Sequence, residues 1–160
     1  MLKRSFPPVV DDRTRLILLG SLPGEQSLAR GQYYANPRNQ FWALMSGVLD
    51  MDLVTLGYDE RLRALLDAGV GLWDTIGAAV REGSLDAAIR DHSPNALPAL
   101  AARLPDLRAF AFNGGKSAAI GRKLLAGSAL RLIPLPSSSP AFTLSFAEKQ
   151  AAWMELRALL

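Results

Sequence analysis

The chain has no cysteine and a single histidine, and these two shortages exclude several kinds of site. Without cysteine there can be no disulfide, no zinc–thiolate site and no cysteine-ligated iron–sulfur cluster. A hydrolase of the Ser-His-Asp type would need His92 beside a serine and a carboxylate, and the chain has no G-x-S-x-G motif. We therefore expect no metal, no other cofactor and no hydrolase triad.

Long apolar runs are also missing. No stretch approaches the roughly 20 residues that a transmembrane helix needs, and residues 1–8 lack the apolar segment of a signal peptide. The net charge of +3 is too small to decide for or against a nucleic-acid partner. The 160 residues, 49% of them hydrophobic, fit one globular domain. We expect a cytoplasmic, single-domain protein without membrane contact, and a monomer by default.

Short apolar segments alternate with helical patterns along the chain. The strand-like segments are residues 16–19, 70–73, 107–112 and 130–135. This alternation predicts an α/β fold in which a four-stranded, mostly parallel sheet lies between two layers of helices. Ser93 and Pro94 are typical of a helix start. Ser145 and Glu148 form a capping box, and the apolar face predicted for the helix after it consists of Phe146, Trp153, Leu156 and Leu160.

The segment LILLGSLPGEQSLARGQYYANPRNQFW, residues 16–42, is the most informative part of the chain. Its apolar start is typical of a strand covered on both faces, and ligands of open α/β sheets bind at the ends of such strands. The side chains that could stack on a flat ring are Tyr33, Tyr34, Phe41 and Trp42. The amides that could read the edge of a base are those of Asn36, Asn39 and Gln40.

An alternative explains part of this segment without any ligand. Phe41 and Trp42 could instead begin the core face of a helix, whose other members would be Leu44, Met45, Val48 and Leu49. Tyr34 and Asn39 lie before that helix, and polar groups at the ends of elements are more often functional. These two residues are therefore the stronger candidates.

Three further loops follow predicted strands. Asp74 ends the second strand, where its carboxylate could accept hydrogen bonds from a base or a water, or could cap the next helix. In FNGGK, residues 112–116, two glycines precede a predicted helix whose amides and Lys116 could hold an anion, while Asn113 could bind a base or brace a loop. In LPSSSPAF, residues 135–142, serine hydroxyls could grip phosphates, or the segment could be an ordinary turn.

The ordered motifs GSLPG, QYYANPRNQFW, GVGLWD, FNGGK and LPSSSPAF resemble those of the uracil-DNA glycosylase superfamily, specifically its hypoxanthine-DNA glycosylase branch. The resemblance extends from Ser5 to Met154. It implies a monofunctional enzyme of base excision repair that hydrolyses the N-glycosidic bond of a deaminated base, with hypoxanthine as the expected base. The expected partner is double-stranded DNA carrying that base, in a cytoplasmic protein that acts at the nucleoid.

The resemblance also implies roles for individual residues. Asn39 and Asp74 are the expected catalytic residues. The base would be held by Gly20, Ser21, Leu22, Tyr34 and Asn113. The DNA would be contacted by Arg38, Lys116, Ser137, Ser138 and Ser139, with Ala141 or Phe142 as the wedge that fills the gap left by a flipped nucleotide. Further basic residues that could contact the DNA backbone are Arg30, Arg122 and Lys123.

Two positions depart from the pattern of the uracil-excising members. Leu22 stands where those members have a carboxylate or amide that positions water, and Leu135 stands where they often have a histidine. Asn36 is a third departure, since many members of the superfamily carry a histidine at that position. These departures leave two alternatives open: a glycosylase for uracil or xanthine, and a binding module for DNA or nucleotides that has lost catalysis.

Overall fold

The computed structural model describes residues 2–160. The strands are β1 (Leu2–Arg4), β2 (Leu16–Gly20), β3 (Val70–Asp74), β4 (Ile76–Val80), β5 (Arg90–Pro94), β6 (Ala109–Asn113) and β7 (Arg131–Leu135). The helices are α1 (Glu25–Arg30), α2 (Phe41–Leu49), α3 (Tyr58–Asp67), α4 (Leu97–Ala102), α5 (Gly115–Leu124) and α6 (Phe146–Trp153), with 3₁₀ turns at Asp86–Ala88 and Met154–Leu159.

Four strands form the central sheet, in the order β3-β2-β6-β7, and all neighbouring pairs are parallel. This confirms the predicted α/β fold class, and the strands lie within two residues of their predicted bounds. Every residue of β2 is buried, because β2 lies between two strands and under helices on both faces. Parallel pairing brings the carboxyl ends of all four strands to one edge of the sheet.

Alternate residues of β2 face two separate apolar layers. Leu16 and Leu18 belong to one cluster with the α2 residues Phe41, Trp42, Leu44, Met45 and Val48. Ile17 and Leu19 belong to the other, with Leu97, Leu100, Phe110, Phe112 and Leu125. A sheet buried on both faces needs two such layers. The core face predicted for α2 is therefore present, and it places Phe41 and Trp42 inside the protein.

A second, antiparallel sheet of order β1-β4-β5 was not predicted. β5 is exposed along its whole length and has the sequence RDHSP, which has no apolar alternation that would indicate a strand. The predicted helix start at Ser93 and Pro94 is wrong, since both residues lie in β5 and α4 begins at Leu97. His92 is exposed on the same strand.

The carboxyl-terminal helix is capped as predicted. Ser145 Oγ accepts a hydrogen bond from the backbone N–H of Glu148 at 3.2 Å and donates to its Oε1 at 2.9 Å. Trp153 and Leu156 are fully buried and Leu160 is half-buried. Phe146, however, is 40% exposed, so its predicted core position is wrong. It lies within residues 141–148, all of which are exposed.

Helix α5 packs on the sheet through a glycine, which makes a testable prediction. A Cβ on Gly121 would lie 2.8 Å from Cδ1 of the fully buried Phe112. We expect Gly121→Ala to lower the free energy of unfolding by about 1–3 kcal/mol through overpacking. Gly115 in the same helix has open space around its Cβ position, so Gly115→Ala should be neutral or stabilising by up to about 1 kcal/mol. Urea unfolding of both variants measures this, and equal stabilities would contradict it.

Candidate functional site

A cavity of about 550 Å³ lies at the edge of the central sheet where the parallel strands end. Its lining includes Gly20 at the end of β2, Asp74 at the end of β3, Asn113 at the end of β6 and Ser137 after β7. All four strands therefore contribute to it. Strand ends of open α/β sheets are the usual ligand sites, and this volume is within the range for small-molecule pockets.

Three polar side chains, two on loops and one at the end of β6, form a continuous chain of hydrogen bonds beside the cavity. Asn113 accepts at Oδ1 from the backbone N–H of Ser138 at 2.8 Å and donates from Nδ2 to Ser138 Oγ at 2.8 Å. Ser138 Oγ donates to Asn39 Oδ1 at 2.7 Å. Ser138 is 1% exposed. The prediction that this hydroxyl points outward to grip a phosphate is therefore wrong, because the hydroxyl is bonded to Asn113 and Asn39 instead.

Asn39 has its oxygen occupied and still lines the cavity. Oδ1 accepts from the backbone N–H of Phe41 at 3.0 Å as well as from Ser138. Asn113 is 7% exposed, and both ends of its amide are occupied by Ser138 and by Tyr34. Of the two roles that the sequence left open for Asn113, these bonds match the bracing of a loop.

Tyr34 lies with one ring face against Phe41, at a centroid distance of 3.9 Å and an interplanar angle of 9°. A base can therefore stack only on its other face. The hydroxyl accepts from Asn113 Nδ2 at 3.3 Å. Burial, and then the nearby Asp74 carboxyl, raise the pKa of Tyr34, which keeps it a neutral phenol with a proton to donate. Its φ of 54° is unusual for a residue other than glycine.

Asp74 is 3% exposed and lines the cavity. Burial raises the pKa of its carboxyl to about 7, although a hydrogen bond from Ser5 and the charge of Arg81 lower it. Ser5 Oγ donates to Oδ2 at 2.9 Å. β4 follows Asp74 in the chain, so the alternative that Asp74 caps a helix is excluded. A carboxyl poised near neutral pH can exchange a proton with a bound molecule.

The loop after β2 forms part of the cavity lining. Gly20, Ser21 and Leu22 all line it. Ser21 Oγ donates to Asp86 Oδ1 at 2.6 Å, which ties this loop to the 3₁₀ turn after β4. Leu22 is 6% exposed because its side chain packs into an apolar cluster with Ile76, Ala79 and Ile89. A base would therefore meet this loop mainly through its backbone.

Of the remaining predicted residues, those in the loop after β7 line the cavity and the basic residues do not. Ser137, Ser139, Ala141 and Phe142 line it, and Phe142 is 46% exposed. Arg38 is exposed, and its backbone N–H donates to Asn36 Oδ1 at 2.9 Å. Lys116 and the other basic candidates are half-buried or exposed, and they do not line the cavity; these are Arg30, Arg122 and Lys123.

Lys149 was not predicted, and it lies under the Ser/Pro loop, residues 136–142. The side chain is 1% exposed, and Nζ donates to Gln40 Oε1 at 2.9 Å and to the backbone oxygen of Ser139 at 3.2 Å. Nζ also lies 5.6 Å from the centroid of the Phe142 ring. Burial lowers the pKa of this amine. A lysine inside an otherwise ordinary helix pattern gives no signal for such a role.

Within residues 2–160, no group of three or more His, Asp or Glu side chains is placed to hold a metal ion. In the same part of the chain, no helix is both long and apolar enough to cross a membrane.

The raised pKa of Asp74 predicts a specific pH dependence of stability. Its value in the folded protein, about 7, lies above the ordinary value of 3.8, so the folded state binds the proton more tightly. The free energy of unfolding should then fall as the pH rises from about 4 to about 7, by up to a few kcal/mol. Asp74→Asn should remove this fall and be more stable than the parent protein at about pH 8.

Urea unfolding at several pH values measures the effect. Asp106→Asn is the matched control, because Asp106 is exposed and should keep the parental pH dependence. Parallel stability profiles for Asp74→Asn and the parent protein would contradict the assignment.

Known proteins with similar sequences or structures share this fold. A family model described as the uracil DNA glycosylase superfamily matches residues 7–157. A hypoxanthine DNA glycosylase of Methanosarcina barkeri is 38% identical over 97% of this chain and 98% of its own. One of Methanosarcina acetivorans is 38% identical over 96% of each chain. The solution NMR structure of a candidate uracil DNA glycosylase from M. acetivorans matches with a TM-score of 0.90 at 38% identity, covering 99% of both chains. The chain belongs to the uracil DNA glycosylase superfamily.

Proposed function

We propose that this chain is a single-domain, monofunctional DNA glycosylase that removes hypoxanthine from double-stranded DNA as the first step of base excision repair. The observation that carries the proposal is the cavity at the strand ends, which is large enough for a purine and lined by the amide of Asn39, the phenol of Tyr34 and the carboxyl of Asp74. Support for the base comes from the two similar proteins named hypoxanthine DNA glycosylase.

Hydrolysis of the N-glycosidic bond adds water to C1′ of the sugar and releases the base. As the bond breaks, positive charge develops on the sugar and negative charge on the base. Hydrogen-bond donors that reach the base mainly as it becomes anionic lower the barrier. Asn39 and Tyr34 are such donors, and Asp74 is the proposed acceptor for a base N–H or for the attacking water.

The reaction as proposed stops at the abasic site. A glycosylase that also cleaves the strand needs an amine that can attack C1′. Among the described residues that line the cavity there is no lysine, and the buried Nζ of Lys149 is bonded to Gln40 and Ser139. These features support water as the nucleophile.

The DNA would lie across the mouth of the cavity. We assign contacts with its backbone to Ser137, Ser139, Arg38 and Lys116, and the wedge to Phe142, with Ala141 beside it. The half-exposed ring of Phe142 supports this choice, because a large apolar side chain at a loop tip can fill the space of an extruded nucleotide. Hypoxanthine pairs weakly, which lowers the cost of flipping it into the cavity.

We also propose that the protein acts as a monomer. A chromosomal substrate would place this activity at the nucleoid, in the cytoplasm.

A second candidate function is a module that binds damaged DNA without cleaving it. Leu22, which lines the cavity, and Leu135, at the end of β7, favour it, since both are buried apolar side chains that supply no polar group. A glycosylase for uracil or xanthine is a third candidate, and it would use the same amide and carboxyl.

Single-turnover assays on duplexes that contain hypoxanthine, uracil or xanthine distinguish these candidates. We expect hypoxanthine to be excised fastest. Faster release of uracil or xanthine would change the assigned base, and DNA binding without any abasic product would favour the binding module.

Asn39→Ala tests the catalytic assignment in the same assay. Loss of its donor should slow excision by about 100-fold or more, as for an oxyanion-hole donor, while the affinity for DNA and the circular dichroism spectrum stay close to those of the parent. Arg103→Ala is the control, because Arg103 is exposed and precedes β6, at the opposite edge of the sheet. Parental excision rates in Asn39→Ala would remove the residue from the mechanism.

A further inference from the structure

The hydrogen bonds around Ser138 have a fixed direction. Backbone N–H groups can only donate, so the bond from Ser138 N identifies Oδ1 of Asn113, and the bond from Phe41 N identifies Oδ1 of Asn39. Both amides are therefore oriented by the main chain. The nitrogen of Asn113 must then face Ser138 Oγ, and it lies 2.8 Å away.

With both amides oriented in this way, the Ser138 hydroxyl has one acceptor for its proton. Its oxygen accepts from Asn113 Nδ2, so its own proton goes to Asn39 Oδ1 at 2.7 Å. Ser138 is 1% exposed, which keeps water from competing. Asn39 Oδ1 now accepts two hydrogen bonds, which is the usual capacity of a carbonyl oxygen.

Asn39 can then offer the cavity only N–H groups. Its Nδ2 has no hydrogen-bond partner among residues 2–160, while the residue lines the cavity. An asparagine that is free to turn presents either a donor or an acceptor. Here a flip would place Nδ2 against the N–H of Phe41 and the hydroxyl of Ser138, leaving two buried donors without acceptors at a cost of about 1–3 kcal/mol each.

We infer that Ser138 is a positioning residue that orients the Asn39 amide so that it presents only N–H groups to the cavity. We also infer that this donor selects purines with an oxygen at C6. The inference rests on the proposed function and deepens it. Hypoxanthine presents an acceptor oxygen at C6. Adenine presents an amino group there, and its N–H cannot form a hydrogen bond with the N–H of Asn39. A site built to hydrogen-bond one group strongly rejects an analogue that cannot pair with it.

Replacement of Asn39 by aspartate tests the donor directly. In Asn39→Asp the inner carboxyl oxygen keeps the bonds from Ser138 and Phe41, and the outer oxygen faces the cavity. At about pH 8 that oxygen is an acceptor, and at about pH 5 a growing fraction carries a proton and is a donor again. We expect the excision rate of Asn39→Asp, divided by that of Asn39→Ala, to rise at least about tenfold from pH 8 to pH 5.

The ratio cancels effects that both variants share, including the titration of Asp74. A flat ratio would overturn the inference, even if the parent enzyme excises hypoxanthine. If the parent excises no damaged base at all, the proposed function fails first, so the two failures are distinguishable.

Base analogues test the selected group. Single-turnover rates are compared for hypoxanthine and for unsubstituted purine, which lacks the C6 oxygen. We expect Asn39→Ala to slow hypoxanthine excision at least about tenfold more than purine excision. Equal slowing would mean that Asn39 contacts an atom common to both bases, and the selectivity would be overturned.

A double-mutant cycle tests Ser138 itself. Ser138→Ala should lower kcat about tenfold without changing KM for the DNA, and it should cost much less when Asn39 is already alanine. Additive effects of the two substitutions would show that Ser138 does not act through Asn39. Should Ser138→Ala fail to fold, the Asn39→Asp profile still decides whether Asn39 acts as a donor.

Discussion

The buried Ser138 is the single residue on which the arrangement of the site depends. Its backbone N–H, backbone oxygen and hydroxyl bind three different partners: Asn113 at the end of β6, Gln40 before α2, and Asn39. The loop after β7, the loop before α2 and the central sheet are thereby held together through this one residue. Since two of its hydrogen bonds are made by the backbone of Ser138, the position of its hydroxyl follows from the path of the main chain.

Polar groups that are expensive to bury are concentrated around this cavity. Lys149 is buried under the Ser/Pro loop, Asp74 is buried at the end of β3, and Arg81 is 1% exposed with its Nε and Nη1 lacking partners among residues 2–160. Arg81 also donates to the backbone oxygen of Pro23 in the loop after β2. Buried ionisable groups reduce stability unless they are well paired. The protein keeps them where each one holds a loop or faces the cavity, which is typical of functional sites.

The sequence predicted the sheet because the four strands are apolar enough to stand out, and the strand-end rule then located the cavity. Three polar side chains next to apolar segments line that cavity: Asp74 ends a strand, and Tyr34 and Asn39 precede helix α2. The exposed strand β5 has no apolar pattern and was missed. Ser138 was misread because its environment depends on Asn39, which is 99 residues away. Lys149 was missed for the same reason, since Gln40 is 109 residues away. The pattern of neighbouring residues in the sequence carries no information about contacts between residues so far apart along the chain.

The absence of a side chain at Gly20 lets the Asp74 carboxyl and the Tyr34 phenol lie close together in the cavity. A Cβ at this position would lie 2.6 Å from Oδ1 of Asp74 and 3.2 Å from the hydroxyl of Tyr34. Any side chain would therefore push these two groups apart. Without one, the end of β2 lets Asp74 and Tyr34 approach the same point. The Tyr34 hydroxyl already accepts from Asn113, so its proton is free for an acceptor on the base. The absence of a side chain at Gly20 therefore positions Asp74 and Tyr34, just as Ser138 positions Asn39.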